Sequence, residues 1–241
     1  MTKTPSDLSN NTALFLDFDG TLVNIAEKPE LVVVPDDLLV TLGKLSLKLN
    51  GALAIVTGRE LSVIRAFLPL PGLVMAAEHG ALLDPPDSTS VVLPLPPREW
   101  RMAFDQFVQS HPGTLSEHKV HGLVLHFRLA PAAADAAKSL AEQLVAQDRG
   151  RFRVVPAHAA VEIRPIGADK GQAVRRLMKR DAFQHRVPVF IGDDITDEDG
   201  ISACAALGGT GYRIPTDFDG SPDKLRAWLQ RWVSGEKSTV A

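Results

Sequence analysis

Four short apolar runs recur along this chain: Ala13-Leu14-Phe15-Leu16, Ala52-Leu53-Ala54-Ile55-Val56, Leu73 to Ala77, and Val187-Pro188-Val189-Phe190-Ile191. Each is closed by a polar or Gly-containing turn, the pattern of a strand buried on both faces. Helical patterns separate the first three. Asp36 to Leu49 carries leucines at Leu38, Leu39, Leu42, Leu45 and Leu49, with Asn50-Gly51 as its C-terminal stop. Glu60 to Phe67 forms a shorter helix, stopped by Pro69 and Pro71. Alternation of this kind sets neighbouring strands parallel, with helices on both faces. The expected fold is α/β, with a doubly wound, Rossmann-like parallel-sheet core.

The pattern changes at residues 84–97, where Pro85, Pro86, Pro94, Pro96 and Pro97 mark a boundary, with an edge strand expected around Val91 to Leu93. A helix from about Arg98 to Ser110 leads into an alternating stretch, Leu115 to Leu129, with Gly122 as its hairpin turn. Ala132 to Gln147 is an alanine-rich helix, and Phe152 to Val155 and Ala160 to Ile163 are short strands ahead of Pro165. Helix, hairpin, helix, hairpin is an α+β module inserted into the parallel fold. From Asp169 the doubly wound pattern resumes. The expected domains are a core of residues 1–92 and 167–241 and a smaller inserted cap of residues 93–166.

A net charge of -3 argues against a general nucleic-acid binder, whose footprint would be basic. No apolar run approaches the roughly 20 residues that span a bilayer. The polar start, Met1 to Asn11, lacks the apolar core of a signal peptide. A soluble, cytoplasmic protein with no nucleic-acid or membrane partner is expected. The single cysteine, Cys204, excludes an intramolecular disulfide and reads as helix packing among small residues. His118, His121 and His126 lie close together, but on a hairpin they need not share a face, so zinc is not expected.

In open parallel sheets the chemistry lies outside the carboxyl ends of the strands. The first strand ends in Asp17-Phe18-Asp19-Gly20-Thr21, the second in Thr57-Gly58-Arg59, and the fourth in Gly192-Asp193-Asp194, with Asp197 close behind. Lys170 opens the helix that resumes the core, where helix-terminal amides also favour an anion. Clustered carboxylates repel unless a cation or a proton compensates them, and Mg²⁺ shared with a substrate phosphate is the natural compensation. A carboxylate nucleophile 4 Å from a phosphate charge is repelled by about 4 kcal/mol at an effective dielectric of 20, so a metal and a lysine are both needed. Thr57 and the Gly58 amide can donate to phosphate oxygens. The plain structural readings are a capping residue for Thr57 and a solvated helix start for Lys170.

These residues resemble the four motifs of the haloacid dehalogenase superfamily of phosphohydrolases, in order: Asp17 to Thr21, Thr57, Lys170, and Gly192-Asp193-Asp194-Ile195-Thr196-Asp197. The resemblance implies Asp17 as nucleophile, forming an aspartyl-phosphate. It implies Asp19 as the acid that protonates the leaving alkoxide and then the base that activates water. Thr57 and Lys170 complete the implied catalytic set. Mg²⁺ would be held by the Asp17 side chain, the Asp19 backbone carbonyl and Asp193, with Asp194 and Asp197 in or next to that shell.

In the inserted module, Glu117 and Lys119 point to one face of a strand, as do Glu162 and Arg164. Carboxylates and lysines on one face suit sugar hydroxyls, although a face of solvated ion pairs has the same pattern. Ile25 to Pro35, Thr57-Gly58-Arg59, Glu78-His79-Gly80, Glu117 to Arg128, Glu162 to Gly171 and Gly192 to Glu198 together resemble the trehalose-6-phosphate phosphatase family. That resemblance implies trehalose 6-phosphate as the small-molecule substrate. Glu117, Lys119, Arg128 and Glu162 would engage it from the cap, and Gly20, Gly58, Arg59, Glu78 and His79 would line the cleft from the core. Phe127 stands where the family usually has Tyr, and Gly200-Ile201 where an aromatic residue is common. The stretch Tyr212 to Lys224 also lacks the family's usual pattern. The rivals are a phosphatase of another sugar phosphate such as sucrose 6-phosphate, a phosphomannomutase-like isomerase, and a non-catalytic phosphosugar sensor. A monomer or weak homodimer is expected.

Overall fold

The computed structural model describes residues 8–26, 28–86, 93–148, 150–157 and 159–235. In chain order its first elements are β1 (Thr12–Leu16), α1 (Asp36–Lys48), β2 (Leu53–Val56), α2 (Leu61–Phe67), β3 (Val74–Ala77) and β4 (Leu82–Asp84). Next come α3 (Arg98–Ser110), β5 (Leu115–His118), β6 (Leu123–His126), α4 (Ala134–Ala146), β7 (Phe152–Ala157) and β8 (Ala160–Pro165). The last are α5 (Lys170–Leu177), β9 (Val187–Gly192), α6 (Asp197–Ala206), β10 (Thr210–Arg213), α7 (Ile214–Asp217) and α8 (Pro222–Ser234). They form two compact units, one of Met1–Ser88 with Asp169–Ala241 and one of Thr89–Ala168.

The first unit is built on a six-stranded sheet in the order β10-β9-β1-β2-β3-β4. All neighbours are parallel except β4, which runs antiparallel to β3. β1 lies at the centre, pairing Leu14 with Leu53 on one side and Val189 on the other. Its five residues are all buried and, after Thr12, all apolar, because helices cover both faces of a parallel sheet. α1 turns Leu38, Leu42 and Leu45 to the core, and α8 turns Leu225, Trp228, Leu229 and Trp232 to it. Phe15 stacks on Phe183 at 5.5 Å between centroids.

The second unit is an antiparallel sheet, β5-β6-β8-β7, with its own core. Trp100, Phe104 and Phe107 of α3 and Ala137, Ala141 and Leu144 of α4 pack with Leu123, Leu125, Val161 and Ile163. Those strand positions alternate with the opposite face, where the register lines up Glu117, Val124, Glu162 and Val155. One face is thus apolar, and the other carries Glu117 and Glu162 beside Val124 and Val155.

Several elements differ from the sequence pattern. The alanine-rich helix starts with a 3-10 turn over Pro131–Ala133, so its α-helical part is Ala134–Ala146. β4, β10, α7 and α8 carry no expectation from the sequence. Val91 and Val92 of the anticipated edge strand lie outside the described residues, and Leu93 belongs to no regular element. Among the described residues no helix is long and apolar enough to cross a membrane.

Candidate active site

β1 hands its last hydrogen bond to Asp17, whose N–H donates to Ile191 O at 3.0 Å, so this carboxylate stands at the carboxyl edge of the central strand. The chain then turns through Gly20 at φ +75, a conformation that costs a residue with a Cβ about 1–2 kcal/mol. Space makes a second demand for glycine there. A Cβ on Gly20 would lie 2.2 Å from Asp193 Oδ2. The turn also delivers Thr21, which the sequence reading did not single out for the site. Its hydroxyl donates to Asp193 Oδ1 at 2.9 Å and approaches Asp17 Oδ2 at 3.3 Å. Its place just after the strand-end acids was the available signal.

Lys170 is the first residue of α5, positioned because the Asp169 carboxylate caps that helix by accepting from Gln172 N at 2.7 Å. A solvated helix start is not what the structure has: Lys170 is buried. Its Nζ lies 2.7 Å from Asp17 Oδ1 and 2.6 Å from Asp197 Oδ1. The other Asp197 oxygen accepts the amides of Asp193 and Asp194 at 2.9 and 3.0 Å, which ties the loop after β9 to α6. Ligand atoms of Asp17, Asp193 and Asp197 all fall within 4.8 Å of one another.

Three carboxylates face one buried ammonium here, and the proton affinities reflect the imbalance. Burial, then the charge of Asp197, holds the Asp17 carboxyl well above the usual range, against the pull of Lys170. Burial raises Asp193 to about 6, helped by Asp197 and Asp194 and opposed by the Thr21 hydrogen bond. Asp197 is raised by burial against Lys170. Lys170 is held protonated by Asp17 and Asp197, which outweigh its own desolvation. Burial would raise Asp194 too, but the Lys170 charge and its bonds from Thr196 win, and its carboxyl falls. A buried all-oxygen cluster short of positive charge fits a hard divalent cation such as Mg²⁺.

The side chains of Asp19, expected to offer the metal its backbone carbonyl, and of Asp194, expected in or next to the shell, have partners of their own. The Asp19 carboxylate is gripped by Arg59, with Nε to Oδ2 at 2.7 Å and Nη2 to Oδ1 at 2.6 Å. The guanidinium is itself backed by the rings of Phe18 and Phe67, 5.6 and 4.9 Å from their centroids. Asp194 turns back into its loop, accepting from Thr196 N at 2.8 Å and Oγ1 at 2.7 Å.

Thr57, at the end of β2, is buried, and its hydroxyl oxygen accepts from Arg59 N at 3.2 Å. That is a capping role, and it leaves the hydroxyl proton to be donated. Gly58 follows because the His79 ring crosses it, with ring atoms 2.7 Å from where a Cβ would be. Glu78 and His79 are held at φ 48 and 57 at the end of β3, with Glu78 N donating to Arg59 O and His79 N to Thr57 O. Such left-handed geometry in non-glycine residues is costly and collects at functional sites.

In the second unit, Lys119 Nζ donates to Glu162 Oε1 at 2.8 Å, and both side chains are buried. Glu117 bonds His126 Nε2 at 2.9 Å; burial would raise its carboxyl, but His126 and Lys119 bring it below the usual value. Arg128 is exposed just beyond β6, and Arg164 is buried on the same face as Glu162. The three neighbouring histidines hold separate partners: His118 faces Asp105 at 2.9 Å, His121 bonds Pro94 O at 3.1 Å, and His126 bonds Glu117.

A family model described as trehalose-phosphatase matches residues 15–222. The chain is 35% identical over 244 residues to the trehalose-6-phosphate phosphatase of Escherichia coli (strain K12), covering 100% of this chain and 91% of that protein. Among solved structures it is similar to the C-terminal domain of the Candida albicans trehalose-6-phosphate phosphatase, with TM-score 0.73, 20% identity, and 94% and 93% of the two chains covered. It is also similar to a haloacid dehalogenase-like hydrolase from Bacteroides thetaiotaomicron, with TM-score 0.62, 13% identity, and 90% and 98% covered. The two structural likenesses are of fold, a haloacid dehalogenase-type parallel core with an inserted antiparallel unit.

Proposed function

The chain belongs to the trehalose-phosphatase family of phosphoric monoester hydrolases, and from that premise we propose that it hydrolyses trehalose 6-phosphate to trehalose and phosphate, the last step of trehalose formation, in the cytoplasm. The observation that carries the mechanism is the buried Asp17 carboxylate, 2.7 Å from Lys170 and grouped with Asp193 and Asp197. Bound Mg²⁺, held by Asp17, Asp193 and the Asp19 backbone, with Asp197 and Asp194 supporting, would supply the positive charge that this cluster and a phosphate dianion together lack.

An Asp17 oxygen attacks phosphorus as the bond to the sugar oxygen breaks, and that oxygen takes its proton from Asp19. Water then attacks the acyl phosphate while Asp19 accepts its proton, and the bond between phosphorus and Asp17 breaks. Lys170 and the Thr57 hydroxyl, with the Gly58 amide, hold the phosphoryl oxygens. Arg59 holds both Asp19 oxygens and so fixes the direction in which that carboxyl faces the leaving group. Gly20, Gly58, Arg59, Glu78 and His79 line the phosphate side. Glu117, Lys119, Arg128 and Glu162 on the inserted cap read the disaccharide.

Phosphate release tests this directly. Trehalose 6-phosphate should be turned over in Mg²⁺ and not in chelator, and much faster than glucose 6-phosphate or sucrose 6-phosphate. Equal rates on glucose 6-phosphate would overturn the disaccharide assignment. Full turnover by Asp17→Asn would overturn the nucleophile. Saturable binding without turnover in the native protein would make it a sensor.

A further inference from the structure

Arg59 ties the Asp19 carboxylate to an aromatic pair, and the hydrolytic reading uses only the carboxylate end of that link. The Asp19 side chain is 36% exposed, so burial does not fix its direction. Arg59 is 12% exposed and grips both Asp19 oxygens, at 2.7 and 2.6 Å. Its backbone is held as well: its N–H donates to Thr57 Oγ1 at 3.2 Å, and its carbonyl accepts from Glu78 N at 2.9 Å. The flexible side chain between these two anchors is supported by rings. The guanidinium carbon lies 4.9 Å from the Phe67 centroid and 5.6 Å from that of Phe18. Both fall within the roughly 6 Å at which a cation is attracted to an aromatic face.

The two rings are not equivalent. Phe18 is fully buried and stands between Asp17 and Asp19, so the core and the turn fix it together. Phe67 is half-buried, ends α2, and meets Phe18 with tilted rings 5.7 Å apart. It bears on Arg59 from a helix that carries none of the residues assigned to the reaction. We propose that Phe67 is a positioning residue for proton transfer: its ring keeps the Arg59 guanidinium where it grips Asp19, and so aims the Asp19 carboxyl at the oxygen leaving phosphorus. This deepens the hydrolytic reading and rests on its assignment of Asp19 as the acid. In that step Asp17 attacks phosphorus, the bond to the ester oxygen breaks, and that oxygen takes the Asp19 proton. Without the ring, Arg59 leaves its place for part of the time, and an acid aligned for part of the time donates less often.

Leaving-group dependence separates the aiming of an acid from packing. The ratio kcat/KM reports the steps up to departure of the ester oxygen. A 4-nitrophenolate departs without a proton, whereas the trehalose alkoxide and phenolate, as basic as a tyrosinate with pKa about 10, need one. Phe67→Leu should lower kcat/KM about tenfold on trehalose 6-phosphate, about fivefold on phenyl phosphate, and less than about twofold on 4-nitrophenyl phosphate. Phe67→Tyr, which keeps the ring, should restore the native pattern. An equal loss on all three esters would make Phe67 a packing residue and overturn the proposal, as would native rates on all three in Phe67→Leu. A second measurement needs no turnover: in urea denaturation, Phe67→Leu and Arg59→Gln together should cost less than the sum of the two alone. Strict additivity would show that ring and cation do not support each other, which also overturns it. The two aryl esters carry the comparison by themselves. A native protein inert toward trehalose 6-phosphate would therefore sink the disaccharide assignment and leave this proposal standing.

Discussion

Replacing Lys170 by Met tests whether one ammonium holds the acidic cluster together. The lysine side chain is 3% exposed, and its two partners, Asp17 and Asp197, are 6% and 1% exposed. Met fills similar space but leaves two buried carboxylates facing each other without a counter-ion. Removing one partner of a buried ion pair costs about 3–5 kcal/mol, because the remaining charge stays desolvated. At roughly 2–4 °C per kcal/mol for a chain of this size, the melting temperature should fall by about 6–20 °C. The assay is thermal and urea denaturation in chelator, so that no added cation substitutes for the lysine. Adding Asp17→Asn to Lys170→Met should then recover stability, with a coupling of roughly 1–3 kcal/mol, since it removes one of the stranded charges. A loss below about 1 kcal/mol for Lys170→Met, or strict additivity in the double variant, would refute the argument from uncompensated burial.

Gly20→Ala should raise the Mg²⁺ concentration for half-maximal activity by roughly tenfold or more, because its Cβ would displace the Asp193 carboxylate from 2.2 Å away. A Mg²⁺ titration of phosphate release identical to the native protein's would contradict this. Burial pushes the Cys204 thiol from 9.0 up to about 12, so it should resist thiol reagents at pH 8 until the protein is unfolded. The unfolded chain loses that proton first as pH rises. Stability should therefore fall between pH 9 and 12, by roughly 1.4 kcal/mol per pH unit at most, and a Cys204→Ala variant should lack that share of the slope.

The strands at the centre of the core were legible because burial on both faces leaves no alternation to blur them: Ala13 to Leu16 and Val189 to Ile191 are apolar throughout. β10 lies at the sheet edge, and Thr210-Gly211-Tyr212-Arg213 is exposed or half-buried, so its sequence has no apolar run. β4 is three residues long, too short for a period. α8 is a different matter, since Leu225, Trp228, Leu229 and Trp232 carry a full helical period behind Pro222 in the first turn. The acids of the site were readable from their places at strand ends. Their pairings were not, since Arg59 on Asp19 and Thr21 on Asp193 depend on side-chain directions that no spacing encodes. The bond from Lys119 to Glu162 follows the register that sets Glu117, Val124 and Glu162 abreast, and register is a property of the paired strands.

The place of β1 between β2 and β9 has a consequence for how the molecule comes into being. A ribosome delivers Leu53 soon after Leu14, but Val189 emerges only after the entire insertion has been made. Until then the strand bearing Asp17 has one naked edge, and such long-range parallel closure is slow and prone to aggregation. Asp17 therefore meets Lys170 and Asp193 only after the insertion and β9 have been made, so the acidic cluster cannot assemble on a nascent chain that stops short of them.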